Sequence, residues 1–307
     1  MAGKTSMAGS GTQKKQVISA SRRTDIPAFY MDWFMESLGR GFFQVENPFS
    51  RKTNLVHVSP ENTGTLVFWS KNFSVFLENG YGEKLRDMGY HLFFNFTVNS
   101  ENRLLEPRVP ALDRRLAQFG ELCRRFGPET VTWRFDPICH YTLAGQGLHD
   151  NLDDFNRIAA SAAQAGIRRC VTSFVDLYGK VLARTRAIPG FAFVDPTADE
   201  KQTVILKLVN VLEPLGLSLS LCCEADLIQT LPADCGITAN ACIPNPLLEK
   251  LSGTCLSHAR DSGQRKAQGC RCYVSKDIGS YRHQPCHHNC LFCYANPGSG
   301  KETHHHG

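Results

Sequence analysis

Long apolar runs are missing from this 307-residue chain. No stretch reaches the roughly 20 residues that a membrane-spanning helix needs, so membrane-embedded functions are set aside. No apolar h-region follows Met1 either. The opening MAGKTSMAGSGTQKK is polar and rich in Gly and Ser, and residues 1–15 are expected to form a disordered leader. A one-sided charge is also missing: 34 Lys and Arg face 29 Asp and Glu, a net +5 with no basic stripe, so nucleic acid is not indicated as a partner. No glycine-rich dinucleotide loop follows the first strand-like run, and no repeat of fixed period is visible. The 42% apolar and 21% charged residues suffice for a sizeable core.

Cysteine is what the chain has in excess, with 13 residues. They are too irregularly placed for a small disulfide scaffold, which leaves free or metal-bound thiols in a reducing, cytoplasmic setting as the expectation. Three lie close together in Pro285-Cys286-His287-His288-Asn289-Cys290-Leu291-Phe292-Cys293, a C-x3-C-x2-C spacing. Three thiols on one loop can hold three irons of a [4Fe–4S] cube and leave the fourth iron open. With His283, His287 or His288 the same thiols could close a Cys3His zinc site, so spacing alone leaves iron and zinc both open.

The rest of the chain alternates strand-like and helix-like segments. Short apolar runs at Gln16 to Ala20, Thr65 to Trp69, His91 to Val98, Val131 to Phe135, Arg169 to Val175 and Leu217 to Cys223 read as buried strands. A hairpin is expected near Asn54 to Ser59. Helical spacing covers Met31 to Leu38, Phe73 to Met88, Ala111 to Phe126, Asn151 to Ala165 and Ala198 to Leu215, several of them stopped by glycine. Six such βα units predict an α/β fold, a partial or full TIM-type barrel over residues 16–224. An irregular cysteine-rich segment over 225–307 would pack its thiol loop at the barrel mouth. The terminal Thr303-His304-His305-His306-Gly307 reads as a tail or tag remnant.

In a parallel barrel, functional groups gather where strands end. Those positions hold Ser21, Arg22, Arg23 and Asp25; Ser70, Lys71 and Asn72; Asn95, Thr97 and Asn99; Arg134 and Asp136; Thr172, Ser173 and Asp176; and Cys223-Glu224. Arg23–Asp25 and Arg134–Asp136 can each be read as loop-fastening ion pairs. Taken together the set suits a polar ligand site, with an Arg or Lys for a carboxylate, acids for ribose hydroxyls and Ser, Thr or Asn for a ring edge. Arg23, Asp25, Lys71, Arg134 and Asp136 are the candidate catalytic residues, and Ser70, Asn95, Thr97, Ser173, Glu224 and Phe292 the candidate cofactor-binding ones. If the last segment returns to the mouth, a cluster loop at the end of the chain can occupy the space of one placed after strand one. Upstream, Cys223, Cys242, Cys270 and Cys272 are the preferred ligands of an auxiliary iron–sulfur cluster or zinc, with Cys222 adjacent. Cys123, Cys139 and Cys170 are expected in the core, and Cys235 and Cys255 have no assigned role.

The thiol loop is similar to that of radical S-adenosylmethionine enzymes, in which the aromatic before the third cysteine, here Phe292, packs near the adenine. It departs from them in coming last rather than after the first strand. Over most of its length the chain resembles the bacterial DUF1848 family, described as having radical-SAM-like cysteines at the C-terminus. The matching pieces are Ile18-Ser19-Ala20-Ser21-Arg22-Arg23-Thr24-Asp25-Ile26-Pro27, Val67-Phe68-Trp69-Ser70-Lys71-Asn72, Arg134-Phe135-Asp136-Pro137, Cys222-Cys223-Glu224 and residues 270–296. The resemblance implies a [4Fe–4S] cluster on Cys286, Cys290 and Cys293 with bound S-adenosylmethionine. It also implies an electron donor such as ferredoxin or flavodoxin, and a small-molecule substrate that it does not identify. Two alternatives stay open. One is cleavage on the amino-acid side of the sulfonium, transferring a 3-amino-3-carboxypropyl group to an acceptor such as trivalent arsenic, as in arsinothricin biosynthesis. The other is a non-catalytic zinc-binding interaction module.

Overall fold

Parallel strands buried on both faces read as near-continuous apolar runs, and the central strands here do so. A computed structural model describes residues 14–48 and 50–296. Most of the expected leader and the histidine tail lie outside the described residues. Eight strands form one sheet: β1 (Gln16–Ala20), β2 (Thr63–Ser70), β3 (Leu92–Thr97), β4 (Val131–Ile138), β5 (Arg169–Phe174), β6 (Ser218–Leu221), β7 (Thr238–Ala239) and β8 (Lys276–Asp277). Every pairing is parallel, and the order across the sheet is β7-β6-β5-β4-β3-β2-β1-β8. From β1 to β7 each strand lies beside its predecessor, while the last strand returns to the other side of β1. Among the described residues no pairing joins the edges β7 and β8, so the architecture is a mixed α/β fold around an eight-stranded parallel sheet.

Alternation along the strands divides the sheet's two faces. Ile18, Leu66, Phe68, Phe94 and Phe96 point into the layer under the helices, where they pack with Phe73, Phe76, Phe119 and Phe126. Val17, Val67, Phe93 and Val171 point the other way, onto Cys242, Ile243, Leu248, Leu256 and Cys272. The irregular segment after Glu224 therefore covers the second face and supplies both edge strands.

The helices follow the expected pattern with shifted ends. The single helix expected over Phe73 to Met88 is two, Ser74–Glu78 and Tyr81–Asp87, broken where Gly80 adopts a left-handed φ of 63°. The hairpin pairs Phe42–Glu46 with Thr53–His57, so its first strand was not anticipated. A three-stranded antiparallel sheet of Ala192–Val194, His140–Leu143 and Gly147–Asp150 was also missed. Its Tyr141 and Phe193, with Leu105, Val109 and Val181, form a separate core that receives Cys290, Leu291 and Phe292.

Candidate functional site at the strand ends

Asp25, five residues past β1, is the junction of the site. Its Oδ1 accepts the Ala28 N–H at 3.0 Å and so caps the short helix Ile26–Phe29. Its Oδ2 accepts from the Ser70 hydroxyl at 2.9 Å and the Lys71 N–H at 2.8 Å, both at the end of β2. The same oxygen meets His288 Nε2 at 2.8 Å. One buried carboxylate thus fastens β1, β2 and the thiol loop together. The other ring nitrogen of His288, Nδ1, is buried with no hydrogen-bond partner among the described residues. Arg23 serves the same docking: its guanidinium donates to the Gly279 carbonyl at 3.0 Å and lies 3.8 Å from Asp277. Asp277, on β8, also accepts from the Ser21 hydroxyl at 2.7 Å and the Arg22 N–H at 2.8 Å. The local Arg23–Asp25 ion pair expected from sequence does not form; each partner reaches the far end of the chain instead.

The loop carrying Cys286, Cys290 and Cys293 is held from several sides. The Arg184 guanidinium donates to the carbonyls of Cys290, Leu291, Cys293 and Asn296 at 2.5–3.3 Å. Tyr30 donates to the Pro285 carbonyl at 2.6 Å, and Tyr294 to that of Arg22 at 2.7 Å. Asn289 takes a left-handed φ of 57°, which turns the chain between the first two thiols. Burial pushes Cys286 up to about 12 and raises Cys290 and Cys293 as well. Lys71 opposes this rise at all three, and Arg184 at Cys293, so cations already face the atoms that a metal would need as thiolates.

Lys71 is the second junction. Its ammonium pairs with the buried Glu106 carboxylate at 2.5 Å and sits 5.3 Å from the centre of the Phe292 ring. Burial disfavours its charge, but Glu106 and Cys290 outweigh burial and raise its pKa. Glu106 also lies 3.9 Å from the Cys290 sulfur.

Further along the strand ends, Arg134 and Asp136 form an ion pair. Arg134 also donates to Cys242 Sγ at 2.9 Å, and Asp136 accepts from the Ser173 hydroxyl at 2.5 Å. Burial alone would raise Asp136; Arg134 and Ser173 override it and hold the carboxyl below its usual range. Glu224 accepts the Phe174 N–H at 2.8 Å, and burial lifts its carboxyl to about 6. Asn95 donates to the Cys242 carbonyl at 3.1 Å, so it fastens the returning segment. Thr97 ends β3 beside Arg134. Cys123, Cys139 and Cys170 are buried, as expected.

The donor set has the chemistry that a cluster uses. Three thiols share one fastened loop, and Lys71, Lys180 and Arg184 lie near them. Among the described residues no three His, Cys, Asp or Glu side chains gather as ligands of one ion do. A four-iron cluster binds each thiolate to a different iron and does not require that convergence. Sequence reasoning missed Glu106, Asp277 and Arg184. Glu106 lies in an aperiodic loop, Asp277 in a two-residue strand, and Arg184 in a short helix far from the thiols in sequence. From sequence, His288 reads only as a zinc ligand.

The chain belongs to the family described as "Domain of unknown function (DUF1848)", whose profile matches residues 17–295. No curated protein matches it. Among solved structures, a D-hydantoinase from a Bacillus sp. is similar with a TM-score of 0.31 and 10% identity, over 60% of this chain and 41% of that one. A second D-hydantoinase gives 0.29 and 10%, over 59% and 39%. The chain thus spans about two fifths of those proteins' length, and likeness at this level carries no functional argument.

Proposed function

We propose that this DUF1848 protein is a radical S-adenosylmethionine enzyme acting on a small molecule, with Cys286, Cys290 and Cys293 holding three irons of a [4Fe–4S] cluster. The observation that carries the reading is the return of the C-x3-C-x2-C loop to the strand ends, where Asp25 bonds His288 at 2.8 Å. The one-strand-at-a-time order of the sheet, with β8 back beside β1, supports a partial TIM-type barrel as its scaffold. When bound, the cluster supplies the single electron that breaks a C–S bond of S-adenosylmethionine.

The chain's own residues bind, orient and shield. Lys71 and Glu106 present opposite charges beside Cys290, suited to the carboxylate and ammonium of a zwitterion. Phe292 offers an aromatic face for a planar base. Asp136, Ser173 and Glu224 supply acceptors for hydroxyls on the far side of the mouth. Asp25 and Arg23 act as positioning residues, because Asp25 is engaged with Ala28, Lys71 and His288 and Arg23 with Gly279. The electron comes from an external carrier such as ferredoxin or flavodoxin.

Anaerobic purification tests the reading. A brown protein whose broad visible absorption bleaches with dithionite supports it, and reduced protein with S-adenosylmethionine is expected to yield 5′-deoxyadenosine. Methylthioadenosine instead would assign cleavage to the amino-acid side and aminocarboxypropyl transfer. A colourless protein with stoichiometric zinc and no iron, even after anaerobic reconstitution, refutes the enzyme reading and leaves the zinc module. Cys286→Ala that keeps a redox-active, S-adenosylmethionine-cleaving cluster refutes the ligand assignment.

A further inference from the structure

Five further cysteines meet at the ends of β6 and β7, outside the thiol loop. Cys222 Sγ lies 3.4 Å from Cys242 Sγ and 3.8 Å from Cys223 Sγ. Cys272 is buried in the same cluster as Cys222 and Cys242, and Cys223 and Cys270 pack against it. They come from three separate stretches of chain, residues 222–223, 242 and 270–272, so no local packing rule brings them together.

The surroundings call for negative charge. Arg134 donates to Cys242 Sγ at 2.9 Å, and Asn240 does so at 3.0 Å. Arg22 lies over the Trp69 ring at 5.3 Å, beside Cys272 and Cys242. Its Nη2 is buried and has no hydrogen-bond partner among the described residues. Arg134 has Asp136 as its counter-ion. The Arg22 guanidinium donates to the Ser275 hydroxyl at 3.4 Å and has Asp277 as its nearby carboxylate, without a direct ion pair among the described residues.

We propose that Cys222, Cys223, Cys242, Cys270 and Cys272 are the ligand pool of a second, thiolate-bound metal centre, with Arg22 and Arg134 as its counter-cations. Metal-bound thiolates would supply the negative charge these guanidiniums face. The two sulfur separations around Cys222 are close to the edge of a tetrahedral thiolate site, about 3.8 Å for metal–sulfur bonds of about 2.3 Å. Among the described residues no three of these side chains converge on one point. Loading therefore turns some of them inward, and rotation about χ1 alone carries a cysteine sulfur by about 3 Å with the backbone fixed.

The proposal stands whether or not the thiol loop carries a cluster, and the test separates the two. In a variant with Cys286, Cys290 and Cys293 all changed to Ala, purified anaerobically and reconstituted with iron and sulfide or with zinc, one centre per chain is expected to remain. Zinc at one equivalent identifies an ion, and iron with equimolar sulfide identifies a cluster. Adding Cys242→Ser and Cys272→Ser is expected to abolish it. A triple variant that unfolds cooperatively yet binds no metal overturns the proposal. Should that variant not fold, alkylation of the metal-loaded wild-type protein decides: these five thiols are expected to react only after chelation. Alkylation of all five by iodoacetamide without chelator overturns it.

Discussion

Replacing Asp25 tests whether its carboxylate fastens the thiol loop to the strand ends. Its Oδ2 receives three donors, the Ser70 hydroxyl, the Lys71 N–H and His288 Nε2, while Oδ1 receives the Ala28 N–H. In Asp25→Asn the carbonyl oxygen can keep the Ala28 bond, and the new amide NH2 then faces the three donors. The Ser70 hydroxyl can retain its bond to the Asn72 carbonyl at 2.8 Å, and His288 can change tautomer and accept. The Lys71 backbone N–H has no such choice, and an orphaned buried donor costs about 1–3 kcal/mol. Asp25→Asn is therefore expected to lose about 2 kcal/mol. Asp25→Ala also gives up the cap, worth about 1 kcal/mol, and leaves His288 Nε2 without its acceptor, for a total of about 4 kcal/mol. Urea unfolding at pH 7 reads both values, and proteolysis mass spectrometry reads release of residues 280–296. Equal, small losses for Asn and Ala, or an intact loop in Asp25→Ala, would show that the carboxylate does not fasten these segments.

Three further outcomes are expected. Lys71→Met strands the buried Glu106 carboxylate and is expected to lose about 3–5 kcal/mol, most of it regained in Lys71→Met/Glu106→Gln; a double variant as unstable as the single one would refute the pairing. The Glu224 carboxyl, lifted by burial to about 6, binds its proton more tightly when folded, so its contribution is fully present below about pH 4.5 and is lost as pH rises through 6, about 2 kcal/mol in all. Glu224→Gln keeps an acceptor for the Phe174 N–H and is expected to be about 2 kcal/mol more stable than wild type at pH 7.5 and no more stable at pH 4.5; the same difference at both pH values counts against the burial cause. A methyl group at Gly279 would collide with the Ser21 side chain, whose hydroxyl is itself bonded to Asp277, so Gly279→Ala is expected to lift β8 from β1 and cost about 1–3 kcal/mol. Hydrogen exchange at Ile278 reads that separation, and unchanged protection there would refute it.

The major strands of the sheet are legible in the sequence because their signal is local. A parallel strand covered on both faces must be apolar along its length, and Thr63–Ser70 and Leu92–Thr97 announce themselves in that way. Edges without such a run were invisible: Thr238–Ala239 and Lys276–Asp277 are two-residue strands defined only by their neighbours. The close packing at Gly82 was hidden for a related reason: Phe76 and Phe126 lie where a side chain there would have to go, which is a fact of tertiary packing.

The chemistry divides along the same line. The sequence alone determined the C-x3-C-x2-C spacing, the surplus of thiols and the polar residues that close each strand, since spacing and strand ends are properties of a few consecutive residues. Only the tertiary structure decided the partners. Asp25 meets His288, Arg23 turns from Asp25 to Gly279, Lys71 finds Glu106, and Cys222 meets Cys242. Residues 25 and 288 are 263 positions apart, and no periodicity or propensity reaches that far. What joins them is the demand that buried charges and hydrogen-bonding groups find partners, and that demand is resolved only once the last segment has folded back onto the strand ends.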